Sequence, residues 1–378
     1  MKITLSCKEF LGVANIVAKS IQSKDVGEQT TSIKVANGKM ILTHYSGTSL
    51  FKGTVNIVAV EGLEEGESKE WIVSGVQLKV ILSVLQDSND FVSFNIDSGD
   101  TQFTISSGTS NLKLPIIEAL SRIPEEQIEA LGEVSATVFL DTLQKLSKIA
   151  SASPQTQGSS LSCVYIAGQE DELVLMGTDA VCLAEKKIVF DLVGNPFYTL
   201  IKSPQAVLLN SNTFSADDIV TLYQTPNMFG YIDKLGVLCL VSKTDETPLE
   251  YEPFKAIASS EQFVEVSSEQ LKFAVDSICK LSNDNSDIII KLDNSRMAVE
   301  NIKNDIIEVP NESVISDDRL LLNRHSTMLL TSLLSDKIRL CWNPNAERKI
   351  ILIQLLNDKK EVDESSFIVI TTNKERTE

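Results

Sequence analysis

Three repeated α+β modules, each with two helices packed on antiparallel sheets, are what the apolar patterning of this 378-residue chain predicts. Two observations carry that expectation. First, one head pattern recurs: Ile3-Thr4-Leu5-Ser6 runs into residues 7–22, Val134-Ser135-Ala136-Thr137 into 138–150, and Val264-Glu265-Val266-Ser267 into 268–281. Second, each head gives way to segments in which apolar and polar residues alternate at period two, the mark of half-buried strands.

Each head reads as a short strand entering a helix. Phe10, Leu140 and Leu271 are offset by 130 and 131 residues, and Val13, Leu143 and Ala274 follow at the same offsets, so corresponding apolar helix positions recur. The polar residue before each helix is a candidate cap. In the first module, Ser32-Ile33-Lys34-Val35 and Lys39-Met40-Ile41-Leu42-Thr43 flank Asn37-Gly38. Both central residues tolerate the positive φ a tight hairpin needs, so the pair predicts a two-residue turn. A second amphipathic segment follows in each third, at Gly75 to Gln86, Ser203 to Asn212 and Arg324 to Leu334. Closing strands are expected at Val92 to Ile96, Val237 to Val241 and Phe367 to Ile370. Residues 116–132, with Pro124, and 244–262, with Pro248 and Pro253, do not alternate and read as connectors. The expected modules are therefore 1–123, 124–255 and 256–378.

Charge and composition exclude several function classes. With 34 basic and 52 acidic side chains, the net charge of −18 excludes a simple electrostatic nucleic-acid binder, and 43% hydrophobic residues exclude disorder. Lys2, Lys8 and Glu9 interrupt the start before any apolar run forms, so no signal peptide is expected. No stretch approaches the roughly 18 uncharged apolar residues of a membrane span. The expectation is a soluble, cytoplasmic protein with no membrane partner. Cys7, Cys163, Cys182, Cys239, Cys279 and Cys341 are scattered without a CxxC pair, so they read as reduced and mostly buried. His44 and His325 stand alone and read as structural. There is no GxGxxG, no GxxxxGK[ST] and no GxSxG. Glu64-Glu65, Asp217-Asp218, Asp284 with Asp287, and Asp317-Asp318 lack the glycine turn and terminal Glu of a calcium loop and read as surface or turns. No metal, no cofactor and no catalysis are expected; a carboxylate-dependent enzyme is the remote rival.

One segment carries a specific likeness. Gly177-Thr178-Asp179-Ala180-Val181-Cys182-Leu183-Ala184 is similar to a threonine-aspartate-glycine-histidine-arginine-leucine-alanine strand end, keeping the threonine, aspartate, leucine and alanine. With the opening Met1-Lys2-Ile3-Thr4 and the ending Phe367-Ile368-Val369-Ile370, which match in type, the whole chain resembles the bacterial-type DNA polymerase sliding clamp. That family is the beta subunit, or processivity factor, of the replicative polymerase. The chain departs from it at Ala180-Val181-Cys182 and where Thr371-Thr372-Asn373 replaces a methionine-proline-methionine stretch, as a divergent member would.

The resemblance implies a DNA clamp fold in which one chain forms half of a ring. A head-to-tail homodimer would enclose double-stranded DNA without regard to sequence, after loading by an ATP-dependent clamp loader. It would tether the replicative polymerase and other clamp-binding peptides. By position, Lys24 and Gln155 match DNA-contacting residues of the family; the two tyrosines and the arginine that often follow that glutamine are absent, with Gly158, Ser159 and Ser160 in their place. The peptide pocket would be lined by Leu161, Thr178, Leu183, Ile368 and Ile370, with Pro248 or Pro253 as the family's proline. Charge supports the pore. Windows 7–24, 74–86, 137–150, 202–214, 267–281 and 319–334 carry eleven basic and four acidic residues, leaving −25 on the other 289 residues. Lys79, Lys145, Lys148, Lys202 and Arg324 join Lys24 as candidate phosphate contacts. The alternative is a clamp-like scaffold or adaptor that binds protein partners without encircling DNA.

Overall fold

This computed structural model describes residues 1–21, 29–64, 66–85, 89–117, 127–150, 160–179, 181–209, 214–246, 262–281, 287–293, 296–311, 318–324, 327–328, 337–343, 349–357 and 359–372, with only the backbone of Phe367. The first third supplies β1 (Lys2–Ser6), α1 (Cys7–Lys19), β2 (Thr30–Ala36), β3 (Lys39–Tyr45), β4 (Ser49–Glu61), β5 (Lys69–Ser74), α2 (Gly75–Val84), β6 (Phe91–Ile96), β7 (Gln102–Ser107) and β8 (Ser110–Ile117). The middle third supplies β9 (Glu129–Ser135), α3 (Ala136–Ala150), β10 (Cys163–Gln169), β11 (Glu172–Thr178), β12 (Cys182–Val189), β13 (Asp191–Leu192), β14 (Phe197–Lys202), α4 (Ser203–Leu209), β15 (Ile219–Gln224), β16 (Met228–Ile232) and β17 (Leu238–Ser242). The last third supplies β18 (Gln262–Ser267), α5 (Ser268–Leu281), β19 (Ile288–Asp293), β20 (Arg296–Glu300), β21 (Ile306–Val309), β22 (Asp318–Leu322), β23 (Lys337–Trp342), β24 (Ile350–Leu356) and β25 (Ser366–Thr371). All three strand-to-helix heads are present.

The chain divides into two compact units. One comprises Met1–Leu140, Asp191–Asn195 and Gln205–Thr244. Its thirteen-stranded sheet runs β1-β6-β7-β8-β5-β2-β3-β4-β17-β16-β15-β9-β13, and β1 also pairs with β4. The long β4 serves two partners. Its first residues pair with β17 (Leu50↔Leu240, Lys52↔Leu238), and its last pair with β1 (Ile57↔Leu5, Glu61↔Lys2). Helix α1 lies directly on this strand: a Cβ at Gly53 would fall 2.3 Å from Val13 Cγ1, so only glycine lets the helix approach. Beneath it Phe10 and Phe94 meet edge to face at 5.2 Å, and Trp71 and Phe103 at 5.4 Å. Ser6 and Ser74 cap α1 and α2 by accepting from Glu9 N at 3.5 Å and Gln77 N at 3.4 Å. The β2–β3 hairpin turns at Asn37 (φ 51°) and Gly38 (φ 72°), as the sequence predicts.

The second unit comprises Asp141–Phe190, Pro196–Pro204 and Asp245–Glu378. It contains an eight-stranded sheet, β14-β10-β11-β12-β25-β24-β23-β18, and a four-stranded one, β21-β20-β19-β22. Gly177 of β11 repeats the Gly53 device, since a Cβ there would lie 2.7 Å from the Leu146 carbonyl oxygen of α3. The six cysteines are buried thiols, none in a disulfide.

Several boundaries differ from expectation for local reasons. Helix α1 ends at Lys19, not 22; the Ser20 hydroxyl donates to Val17 O at 2.7 Å and competes with the next turn. Helix α3 starts at Ala136 rather than 138, and α2 and α4 end at Val84 and Leu209. Of the segment from Arg324 to Leu334 only Arg324, Thr327 and Met328 are described, all helical. The stretch 116–132 is not all connector: residues 116–117 close β8 and 129–132 open β9. The alternation there is hidden by a bulge, because Leu222 faces Gly132 but Tyr223 faces Ala130, leaving Leu131 as an extra residue. The stretch 247–261, with Pro248 and Pro253, lies outside the described residues, as does His325.

His44 of β3 is fully buried, its Nδ1 3.1 Å from Thr31 Oγ1. Burial pushes its pKa down to about 4, and the nearby Lys79 charge adds to that. The unfolded chain takes up this proton near pH 6.5 and the folded chain only near 4. The stability of the neutral ring is therefore present above pH 6.5 and is lost as pH falls toward 4, by about 3 kcal/mol. Urea melts at pH 7 and 4.5 check this: His44→Gln is expected to be less stable at pH 7 and to lose less on acidification, and an equal loss in both proteins would contradict it.

Candidate functional site

The first helices bury one face and leave cations on the other. In α1, Phe10, Leu11, Val13, Ala14, Val17 and Ala18 are buried while Lys8 and Lys19 are exposed. The one acid, Glu9, accepts from Asn56 N and Nδ2 at 3.0 Å, which ties its carboxylate to β4. In α3, Lys148 is exposed, whereas Lys145 pairs with Asp141 one turn away at 2.8 Å and is partly neutralised. In α5, Lys272 and Lys280 are exposed and make no hydrogen bond or ion pair among the described residues. Lys202 is exposed at the end of β14. Two other candidates are engaged: Lys79 Nζ donates to Ile21 O at 2.8 Å, and Arg324 Nη2 donates to Cys279 O. Lys24 and Gln155 lie outside the described residues. Lys8, Lys272 and Lys280, counted in the charged windows but not singled out from the sequence, are exposed cations on these helices that make no hydrogen bond or ion pair among the described residues.

The strand register divides the predicted pocket set. Thr178 pairs with Leu183 and Leu183 with Val369, so these share one face of the eight-stranded sheet. Cys182 pairs with Ile370 and Ala184 with Ile368, placing both isoleucines on the opposite face. All four are buried: Thr178 and Leu183 are 5% exposed, Ile368 3% and Ile370 1%. Thr178 and Asp179 also build the turn before β12. Thr178 Oγ1 donates to Cys182 O at 2.7 Å, and Asp179 Oδ1 accepts from Val181 N and Cys182 N. On the Leu183 face, Val369 packs with Cys341 and Leu352, flanked by the half-buried Phe263 and Ile350. Leu161 is half-buried in a 3₁₀ turn, Ser160–Ser162; Pro248 and Pro253 lie outside the described residues.

A feature invisible to periodicity stands out in both units. The closing strand of a module adds to the fourth strand of the module before it: β17 onto β4, and β25 onto β12. The acceptor is introduced each time by the same four-residue turn, with Ser46 N bonded to Ser49 O at 3.0 Å and Asp179 N to Cys182 O at 3.1 Å. By chain order the third acceptor is β21, whose only neighbour among the described strands is β20. The matching closing strand, β8, pairs with β7 along its length but with β5 only at Ile116 and Ile117. Apolar side chains are exposed on β21 and on α5, the helix packed against it: Ile306 at 53% and Phe273 at 67%. Among the described residues no group of three or more His, Cys, Asp or Glu is arranged to hold a metal ion, and no helix is long and apolar enough to cross a membrane.

The solved structures with similar folds agree along the whole chain. The DNA polymerase sliding clamp from Bacillus subtilis aligns with a TM-score of 0.82 at 15% identity, covering 99% of both chains. DNA polymerase III subunit beta from Pseudomonas aeruginosa aligns at 0.80 and 15%, covering 99% of this chain and 100% of that one. The Helicobacter pylori beta clamp bound to a DNA ligase peptide aligns at 0.76 and 15%, with 99% and 100% covered. No family model and no curated protein matches the sequence. The chain has the DNA clamp fold, at a sequence distance where likeness carries the fold and function must be argued from residues.

Proposed function

We propose that this protein is a sliding clamp: two copies close head to tail around duplex DNA and tether a polymerase to it. The observation that carries the reading is the repeated junction. A strand rule used twice within the chain leaves an unused acceptor in the third module and a matching edge in the first. Pairing β21 of one copy with the free side of β8 of the other satisfies the rule twice more and closes six modules, with no acceptor strand left over. The modules of this reading are residues 1–123, 124–255 and 256–378.

Inside the ring, exposed lysines on the first helices make weak contacts to phosphate that carry no sequence information, so the ring slides. Linkage, not affinity, retains it. An extended peptide from a polymerase, loader or repair partner docks where β25 joins β12, its apolar anchors beside Leu183 and Val369, and holds its owner at high local concentration. The peptide-bound Helicobacter clamp supports that use of the fold. No bond chemistry is assigned to the chain, and opening is left to an ATP-driven loader in the cytoplasm. Topology provides the test. Once loaded, the protein is expected to stay on nicked circular DNA and to run off within minutes of linearisation; equal retention on both forms would establish the adaptor reading instead.

A further inference from the structure

We infer that Lys79 and Arg324 are positioning residues: each clips the second helical segment of its module to the open end of the first helix, and neither is a phosphate-contacting cation. The assignment of the other cations to DNA rests on the clamp reading; the clip itself does not. A helix ends with carbonyl groups that no later turn satisfies. Lys79 Nζ, from the middle of α2, donates at 2.8 Å to the carbonyl of Ile21, one residue past the Ser20 that closes α1. Arg324 Nη2 donates to the carbonyl of Cys279 in the last turn of α5. Thr327 N bonds Asn323 O at 3.0 Å, so Arg324 lies in the first turn of a segment that follows β22 as α2 follows β5.

The two clips sit at different positions of their segments but do the same work. A cation at a helix C-terminus meets the negative end of the helix dipole and can donate to a carbonyl there. Its charge is then compensated by the protein, and less of its field reaches a phosphate. Lys272 and Lys280, exposed on the helix that Arg324 closes, make no hydrogen bond or ion pair among the described residues, so that even Lys280 in the last turn keeps its ammonium open to solvent.

Lys79→Met, Lys79→Arg, Arg324→Met and Arg324→Lys separate the roles when compared, in the full-length protein, with the double variant Lys272→Gln/Lys280→Gln. Two quantities are read: the melting midpoint, and the slope of log affinity for a short blunt duplex against log KCl concentration. Both Met variants are expected to melt about 2 °C or more lower with an unchanged slope, and the Arg and Lys exchanges to restore the midpoint. The lysine pair is expected to keep its midpoint and to flatten the slope by about one for each phosphate it no longer neutralises. A Met variant that flattens the slope like the lysine pair, or that melts like the parent, overturns the assignment. A slope unchanged in every variant, the lysine pair included, would remove DNA from these helices and defeat the clamp reading; the midpoints alone would then decide the clip.

Discussion

A chain carrying both Phe273→Asp and Ile306→Asp is expected to sediment at its own mass of 41.5 kDa at concentrations where the parent sediments at twice that value. The reasoning follows the repeat. The offset of 261 residues that takes Phe10 to Leu271 takes Gly12 to Phe273, and the backbone at Gly12 is already covered, with Leu235 Cδ1 3.4 Å from where a Cβ would sit. That leucine belongs to the turn between β16 and β17, beside the strand that joins β4. At the equivalent point of α5 Phe273 is 67% exposed, and Ile306, 53% exposed, opens β21, the acceptor strand left unused among the described residues. Large apolar side chains at the centre of an interface are each worth about 2 kcal/mol or more, so two buried carboxylates are expected to weaken association by about a thousandfold or more. Val189→Asp is the control: 87% exposed and on β12, neither of the two strands proposed to pair, it should leave the mass unchanged. A double variant that stays at twice the chain mass would place the interface elsewhere.

Local chemistry was legible in the sequence and register was not. The Asn37-Gly38 turn, the Ser6 cap and the apolar offsets of the three first helices are written in neighbouring residues, and each appears in the fold. The bulge at Leu131 hides the start of a strand by breaking its alternation, so residues 129–132 of β9 read as connector until their pairing with β15 is seen. The junctions are harder still, because nothing in the apolar pattern of Leu238–Ser242 says that its partner is β4, nearly two hundred residues earlier. Sorting the candidate site residues fails for the same reason. Leu183 and Ile370 look alike as apolar strand positions, and only the register of β12 against β25 sends them to opposite faces. Lys79 and Lys272 look alike as helix-face cations, and only a carbonyl 58 residues away sets Lys79 apart.

On the clamp reading, enclosure also explains why so few cations suffice. A protein that holds DNA by charge needs many phosphate partners and weakens steeply as salt rises, whereas a closed ring needs only enough positive potential to admit the duplex and centre it. The net charge of −18 then keeps the outside from gathering nucleic acid.

Reversing Lys8, Lys148 and Lys272 to Glu together is therefore expected to lower the yield of clamp loaded on a nicked circle by at least about tenfold at low salt, because each ring turns six attractive positions repulsive. All three are exposed, one on each of the first helices, so neither folding nor the mass of the dimer should change. The telling quantity is what happens to the few rings that load. If linkage is the retaining principle, they should remain on the closed circle as long as the parent does, and leave as promptly when it is cut. A defect confined to entry assigns these helices to the inner wall and retention to topology. Unchanged loading would show that the helices do not face the duplex, and faster loss from intact circles would show that charge, not closure, had been holding the protein there.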